Sequence, residues 1–241
     1  MGTVYVMKTL LRLVVGAAIA IGSTTAASAA VTVSANGTTV LSPGGSTTVN
    51  FDGYNSGSNI AGISSSLLLT FNNTSNAGAT YNFSYTLTNT STVNPSEVSA
   101  FGFNVSPDIS GGSTVGAVLT GVGGSTFGGN GSISNGQTVE FCATSGNNCA
   151  GGQSSGVMFN NSTSGTFALN FSNAPGDIVL SNLLTRYQAF NVNGVGSGIG
   201  RPTIVRSPVP EPGTWAMMLL GFGVVGYSMR RRKRPVLAAA A

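Results

Sequence analysis

The chain has 241 residues, a formal net charge of +4 and an isoelectric point near 9.4, yet Asp, Glu, Lys and Arg make up only 7% of it. It has no histidine, so Ser-His-Asp hydrolysis, Cys-His catalysis and Cys/His zinc sites are excluded. Seven of the ten cations lie near the two ends, leaving Arg186, Arg201 and Arg206 against Asp52, Glu97, Asp108, Glu140 and Asp177. A middle with net charge −2 gives nucleic-acid binding no electrostatic footing.

In chain order, Lys8 and Arg12 precede an apolar stretch at 13–21, and small residues fill 23–30. A charged start, a short apolar run and an Ala-x-Ala pair, here Ala27 and Ala29, describe a secretory signal peptide over 1–29. Cleavage is expected after Ala29 or Ala30. The apolar run is short for a permanent anchor, and Met7-Lys8 reads as a more natural start than Met1.

The body, 30–190, is poor in charge and rich in Gly, Ser, Thr and Asn. Tyr81, Phe83, Tyr85 and Leu87 alternate with Asn82, Ser84, Thr86 and Thr88, which predicts a strand with one buried face. Phe167, Leu169 and Phe171 repeat the pattern. Further strands are expected at 31–33, 47–51, 66–71, 98–105, 115–120, 138–142, 156–159 and 178–180. The stretch 183–192 fits a strand or a short helix. Turn signals fall between these runs, at Ser42-Pro43-Gly44-Gly45, Asn76-Ala77-Gly78, Asn94-Pro95, Gly111-Gly112, Asn135-Gly136 and Ala174-Pro175-Gly176. Short strands with regular turns and no helical period predict an all-β fold, an antiparallel β-sandwich ectodomain. The glycine-rich 121–131 reads as a loop, and 191–208 as a linker.

Cys142 and Cys149 are the only cysteines. In an exported chain two cysteines usually pair, and the turn-rich spacer allows a local disulfide. Glycoside hydrolysis needs two facing carboxylates, and no two of the five acids are close in sequence. Asp52, Asp108 and Asp177 lie near turns, but no Asp-x-Asp-x-Asp calcium loop is present. The run Gly123-Gly124-Ser125-Thr126-Phe127-Gly128-Gly129 lacks the lysine and following helix of a phosphate loop. Asn-x-Ser/Thr triplets, as at Asn72, Asn82 and Asn89, are expected by chance in this composition. No cofactor or metal site is expected.

The C-terminal end is the most specific segment. Pro210-Glu211-Pro212 is followed by an apolar run containing Trp215, Ala216, Met217, Met218, Gly221, Gly223 and Gly226, and then by Arg230, Arg231, Arg232, Lys233 and Arg234. The basic cluster reads as a cytoplasmic stop, which makes 214–229 a single C-terminal transmembrane helix. At 1.5 Å per residue these residues reach about 24 Å, short of a core of about 30 Å, a mismatch that bilayer thinning or snorkelling can absorb. Trp215 and Tyr227 stand near its ends, where amphipathic rings prefer the interface. Residues 235–241 form a short tail.

The segment 209–234, with its Pro-flanked acid, Gly-interrupted apolar run and basic stop in fixed order, resembles the PEP-CTERM sorting domain in its PEPxxWAMM form. The resemblance implies processing by an exosortase, a membrane cysteine transpeptidase, in a Gram-negative bacterium that makes exopolysaccharide, with Pro210, Glu211 and Pro212 as the recognition element. The inner membrane is then a transient partner. The stretch 136–142, with Cys149-Ala150-Gly151-Gly152, is also similar to a PEP-CTERM subfamily called "cistern", which carries no known mechanism.

Together these readings describe an exported, non-enzymatic cell-surface or extracellular-matrix protein. The alternative is a carbohydrate-binding module attached to exopolysaccharide. The body lacks Trp, so Tyr54, Tyr81, Tyr85 or Tyr187 would have to stack on sugar. A hydrolase built from spatially paired acids is the third reading.

Overall fold

A computed structural model describes residues 29–35, 37–127, 131–152 and 154–203, together with Met218, 220–222, Gly226, Tyr227, Met229 and Arg230. The strands among them are β1 (Val31–Ser34), β2 (Thr38–Leu41), β3 (Ser46–Asn55), β4 (Ser58–Ser75), β5 (Thr80–Asn89), β6 (Glu97–Ser106), β7 (Gly111–Gly116), β8 (Gly121–Gly123), β9 (Ser132–Ser134), β10 (Gln137–Thr138), β11 (Phe141–Thr144), β12 (Val157–Met158), β13 (Ser162–Asn170), β14 (Ile178–Gln188) and β15 (Gly198–Pro202).

The all-β, antiparallel expectation holds. The two stacked sheets of a sandwich do not form among the described residues. Thirteen strands join one sheet in the order β7-β13-β5-β4-β3-β15-β14-β6-β11-β8, with β12 beside β6 and β1–β2 beside β14. Each pair along that path is antiparallel, and β1 runs parallel to β14. The sheet curls until its end strands β7 and β8 touch, so the architecture is close to a barrel. The strands β9 and β10 form a separate hairpin around Asn135-Gly136, where Asn135 takes φ 50° and Gly136 φ 69°. Both central residues of a tight hairpin turn need positive φ, which Asn and Gly supply.

Curling produces the core. The period-two set of β5 points inward, with Tyr81, Phe83 and Leu87 fully buried. Phe167 of β13 meets Phe83 at 4.7 Å, Phe141 of β11 at 5.1 Å and Phe103 of β6 at 5.7 Å between ring centroids. Rings from opposite stretches of one sheet thereby share a single apolar interior. The outward set is polar and mutually bonded. Asn72 Nδ2 donates to Ser84 Oγ at 2.8 Å, the Thr86 and Ser164 hydroxyls lie 2.8 Å apart, and Asn82 Nδ2 reaches Asn73 and Ser75. Such cross-strand pairs stabilise a sheet by about 0.2–1 kcal/mol each.

Four local expectations change and one open reading is resolved. Gly111-Gly112, expected as a turn, opens β7, and the strand expected at 115–120 ends at Gly116. The expected loop 121–131 contains β8 and a 3-10 turn at Ser125–Phe127. The ambiguous stretch after 183 continues β14 to Gln188. The largest change concerns the linker: residues 198–202 form β15, inserted between β3 and β14. Its glycines mark close approach rather than flexibility. A Cβ on Gly200 would collide with Thr185 Oγ1 and sit 2.9 Å from the Tyr187 ring.

The signal-peptide residues before Ala29, including Ala27, lie outside the described residues, as do the linker from 204 onward, Pro210, Glu211, Pro212, Trp215, Ala216, Met217, Gly223, Arg231, Arg232, Lys233 and Arg234. Met218, Gly221, Gly226 and Arg230 are helical and exposed. Among the described residues no helix is long and apolar enough to cross a membrane.

Candidate functional site

The sheet register builds one sizeable groove. Between β3 and β15, Tyr54 pairs with Ile199 and Asp52 with Arg201. Asp52 and Tyr54 stand two residues apart on β3, so their side chains share one face and both line the same groove. The Arg201 guanidinium lies 3.7 Å from the Tyr54 ring centroid, a cation–π contact. Asn59, Gln137 and Asn182 complete the polar lining of a volume of about 680 Å³. Side-chain amides, a carboxylate, a guanidinium and one aromatic ring offer hydrogen bonds to a neutral, hydroxyl-rich ligand. The groove also runs to Thr203, where the described body ends.

Of the four tyrosines considered for sugar stacking, only Tyr54 is placed for it. Tyr81 and Tyr187 are fully buried and Tyr85 is 2% exposed, so all three belong to the core. Burial pushes the Tyr187 hydroxyl well above the ordinary phenol range; it lies 2.7 Å from Ser65 Oγ and donates to the Phe51 carbonyl. Arg201, Asn59, Gln137 and Asn182 were not legible as site residues. Their only signal is the pairing register, which no local motif encodes.

Three of the five body carboxylates hold backbone. Glu140 accepts from Val105 N at 2.8 Å and Ile109 N at 3.3 Å. Asp177 accepts from Ala30 N at 2.8 Å. Glu97, fully buried, accepts from Ser154 N at 2.7 Å. Burial raises its pKa, opposed by the backbone N–H groups of Ser154, Gly156 and Ser155. Among the described residues its Oε1 has no hydrogen-bond partner, and neither does Oε1 of Gln188, its cross-strand partner. Asp52 stays in the groove and Asp108 is exposed between β6 and β7. No cluster of three metal-ligating side chains occurs among the described residues.

Cys142 and Cys149 form the expected disulfide, with Cα atoms 5.7 Å apart. Buried Arg186 ties this loop to the sheet, donating from Nε to the Ala150 carbonyl and from Nη1 to Ser134 Oγ and the Gly198 carbonyl. Burial lowers its pKa, and these acceptors satisfy a cation that a dry core would otherwise expel.

No curated protein and no solved structure matches the chain. One sequence family does. Its match begins five residues past Thr203, on the rim of the groove, and takes in Pro210-Glu211-Pro212, the apolar run and most of the basic cluster. Residues 208–233 are a PEP-CTERM protein-sorting motif, the mark of an exported protein that an exosortase processes.

Proposed function

We propose that the chain is a non-enzymatic cell-surface or extracellular-matrix protein of an exopolysaccharide-producing Gram-negative bacterium. The sorting motif at 208–233 carries this reading. An apolar tail whose described side chains are exposed, with Leu220 at 63% and Phe222 at 71%, fits a segment that seeks the membrane before the exosortase removes it. The body agrees in chemistry: it has no histidine, and its outer face is a ladder of hydroxyl and amide pairs. Most of its carboxylates are engaged by backbone N–H groups rather than free for acid–base work. Intact mass of protein recovered from the native cell surface is the test. Loss of the residues after Pro210-Glu211-Pro212, and their retention when exosortase is deleted, is the expected result. A full-length tail on surface protein would overturn the processing step.

The groove favours a second reading, carbohydrate binding. Tyr54, Arg201, Asp52, Asn59 and Asn182 supply an aromatic plate and convergent polar groups. Arg201 covers one face of Tyr54, so a sugar ring must stack on the other face or displace the guanidinium. Affinity electrophoresis through the host's exopolysaccharide is expected to retard the protein, and Tyr54→Ala to restore free migration. Unretarded wild-type protein would remove this reading.

A further inference from the structure

Both polar groups of Ala30 are held by one short stretch of chain. Its N–H donates to Asp177 Oδ1 at 2.8 Å, and its carbonyl accepts from Ile178 N at 3.1 Å. The next residue, Val31, is fully buried in parallel register with Ile178. Ala30 is also the first residue after the Ala27-x-Ala29 pair.

We infer that signal peptidase cuts between Ala29 and Ala30, and that Asp177 receives the new α-ammonium as an ion pair that docks the mature N-terminus on the sheet. The inference rests on the export reading and adds to it a cleavage position and a receptor for the new end. In the cut, a water oxygen adds to the Ala29 carbonyl carbon and the bond to the Ala30 nitrogen breaks. Ala29 leaves as a carboxylate with the signal peptide, and the Ala30 amine takes up protons to become an ammonium at neutral pH.

Geometry selects this bond over its neighbour. The uncut amide gives Asp177 one neutral N–H, whereas the ammonium gives a charge-assisted bond with two further donors for solvent. A cut after Ala30 would delete the carbonyl that accepts from Ile178 N. It would also put the positive charge on Val31, whose side chain is 0% exposed, at a desolvation cost. Strands β1 and β2 carry no charged side chain. The titratable neighbour is Tyr81, whose hydroxyl donates to the Gly176 carbonyl and whose pKa is raised by burial and then by Asp177.

The composition supplies a clean readout. The chain has two lysines, Lys8 and Lys233, one in each segment that processing removes. The Ala30 α-amine is then the sole primary amine of the processed protein. Exported protein from a Gram-negative host would be sequenced from its N-terminus and then labelled with an amine-reactive ester at pH 7, with label quantified on the N-terminal peptide. Ala30 is expected as the first residue. Asp177→Asn is expected to label about three- to tenfold faster, because loss of a nearby carboxylate lowers an ammonium pKa by about half a unit to one unit. Asp108→Asn is expected to leave the rate unchanged. The wild-type amine is also expected to label several-fold faster in urea than in the folded state, a comparison that needs no variant. An exported chain beginning at Val31 or upstream of Ala30, or equal rates with and without Asp177 and in urea, overturns the docking. A chain that keeps its signal residues and stays in the cytoplasm overturns the export reading itself.

Discussion

The strands β4, β5 and β13 and the cluster of β6, β8, β11 and β12 belong to one sheet but are held together differently. In the first region large side chains interdigitate, and a regular in–out alternation runs through nine consecutive register pairs between β5 and β13. In the second, backbone approaches backbone. A Cβ on Gly156 would sit 2.6 Å from Glu97 Cγ and from the Val98 carbonyl. That region also carries the disulfide and the buried Glu97, and the buried Arg186 of neighbouring β14 donates to its loop at Ala150. The first region is stabilised by side-chain burial, with exposed polar pairs adding little on its outer face. The second adds a covalent link and hydrogen bonds to charged groups. Phe167 is the joint, because its ring touches both.

The two regions are most vulnerable at that joint. Phe167→Ala leaves a cavity facing five rings and is expected to cost about 3–5 kcal/mol in urea unfolding. A cost under about 1 kcal/mol would mean that the two regions do not share a core. Replacing Cys142 and Cys149 together by Ser should cost about 2–3 kcal/mol, the chain-closure value for so short a loop. A loss confined to the second region, read by amide exchange around 141–158, would sharpen the contrast, and uniform loss would erase it.

Glu97 tests the second region through pH. Its folded carboxyl holds a proton to higher pH than the unfolded chain, whose glutamate titrates at about 4.3. The folded state therefore binds more protons between the two values. Stability is full below the unfolded value and falls as pH rises through the folded one. Glu97→Gln is expected to match wild type near pH 4 and to exceed it at pH 7 in urea midpoint. A variant weaker at pH 7 would mean that the carboxylate is ionised and held by the N–H groups of 154–156. The smallest effect belongs to the outer face of the first region. Thr86→Ala removes one exposed hydroxyl pair with Ser164, and a loss of about 0.5 kcal/mol or less is expected.

The first region was legible because alternation is local. Tyr81, Phe83, Tyr85 and Leu87 announce both the strand and its buried face, and all four are buried. The disulfide was legible for a different reason: an exported chain with two cysteines seven positions apart has few other uses for them. The groove was not legible. Tyr81, Tyr85 and Tyr187 carry the same chemistry as Tyr54 and lie in the core, and only the pairing of β15 with β3 brings Arg201 over Tyr54. The stretch 191–208 misled because glycine and proline suit a linker and a crowded central strand equally well.

By itself the sequence determined the class of the body, its cystine and its destination. Each of these is written in short-range patterns: period-two alternation, a cysteine pair, and a Pro-Glu-Pro motif followed by apolar and basic runs. The tertiary structure decided that the strands close on themselves as one sheet instead of stacking as two. It also set β15 at the centre and gathered Asp52, Tyr54 and Arg201 at one groove. Those outcomes depend on which distant strands pair and in what register, and pairing is chosen by the whole interior at once, through rings such as Phe103, Phe141 and Phe167 that are far apart in the chain and in contact in the fold.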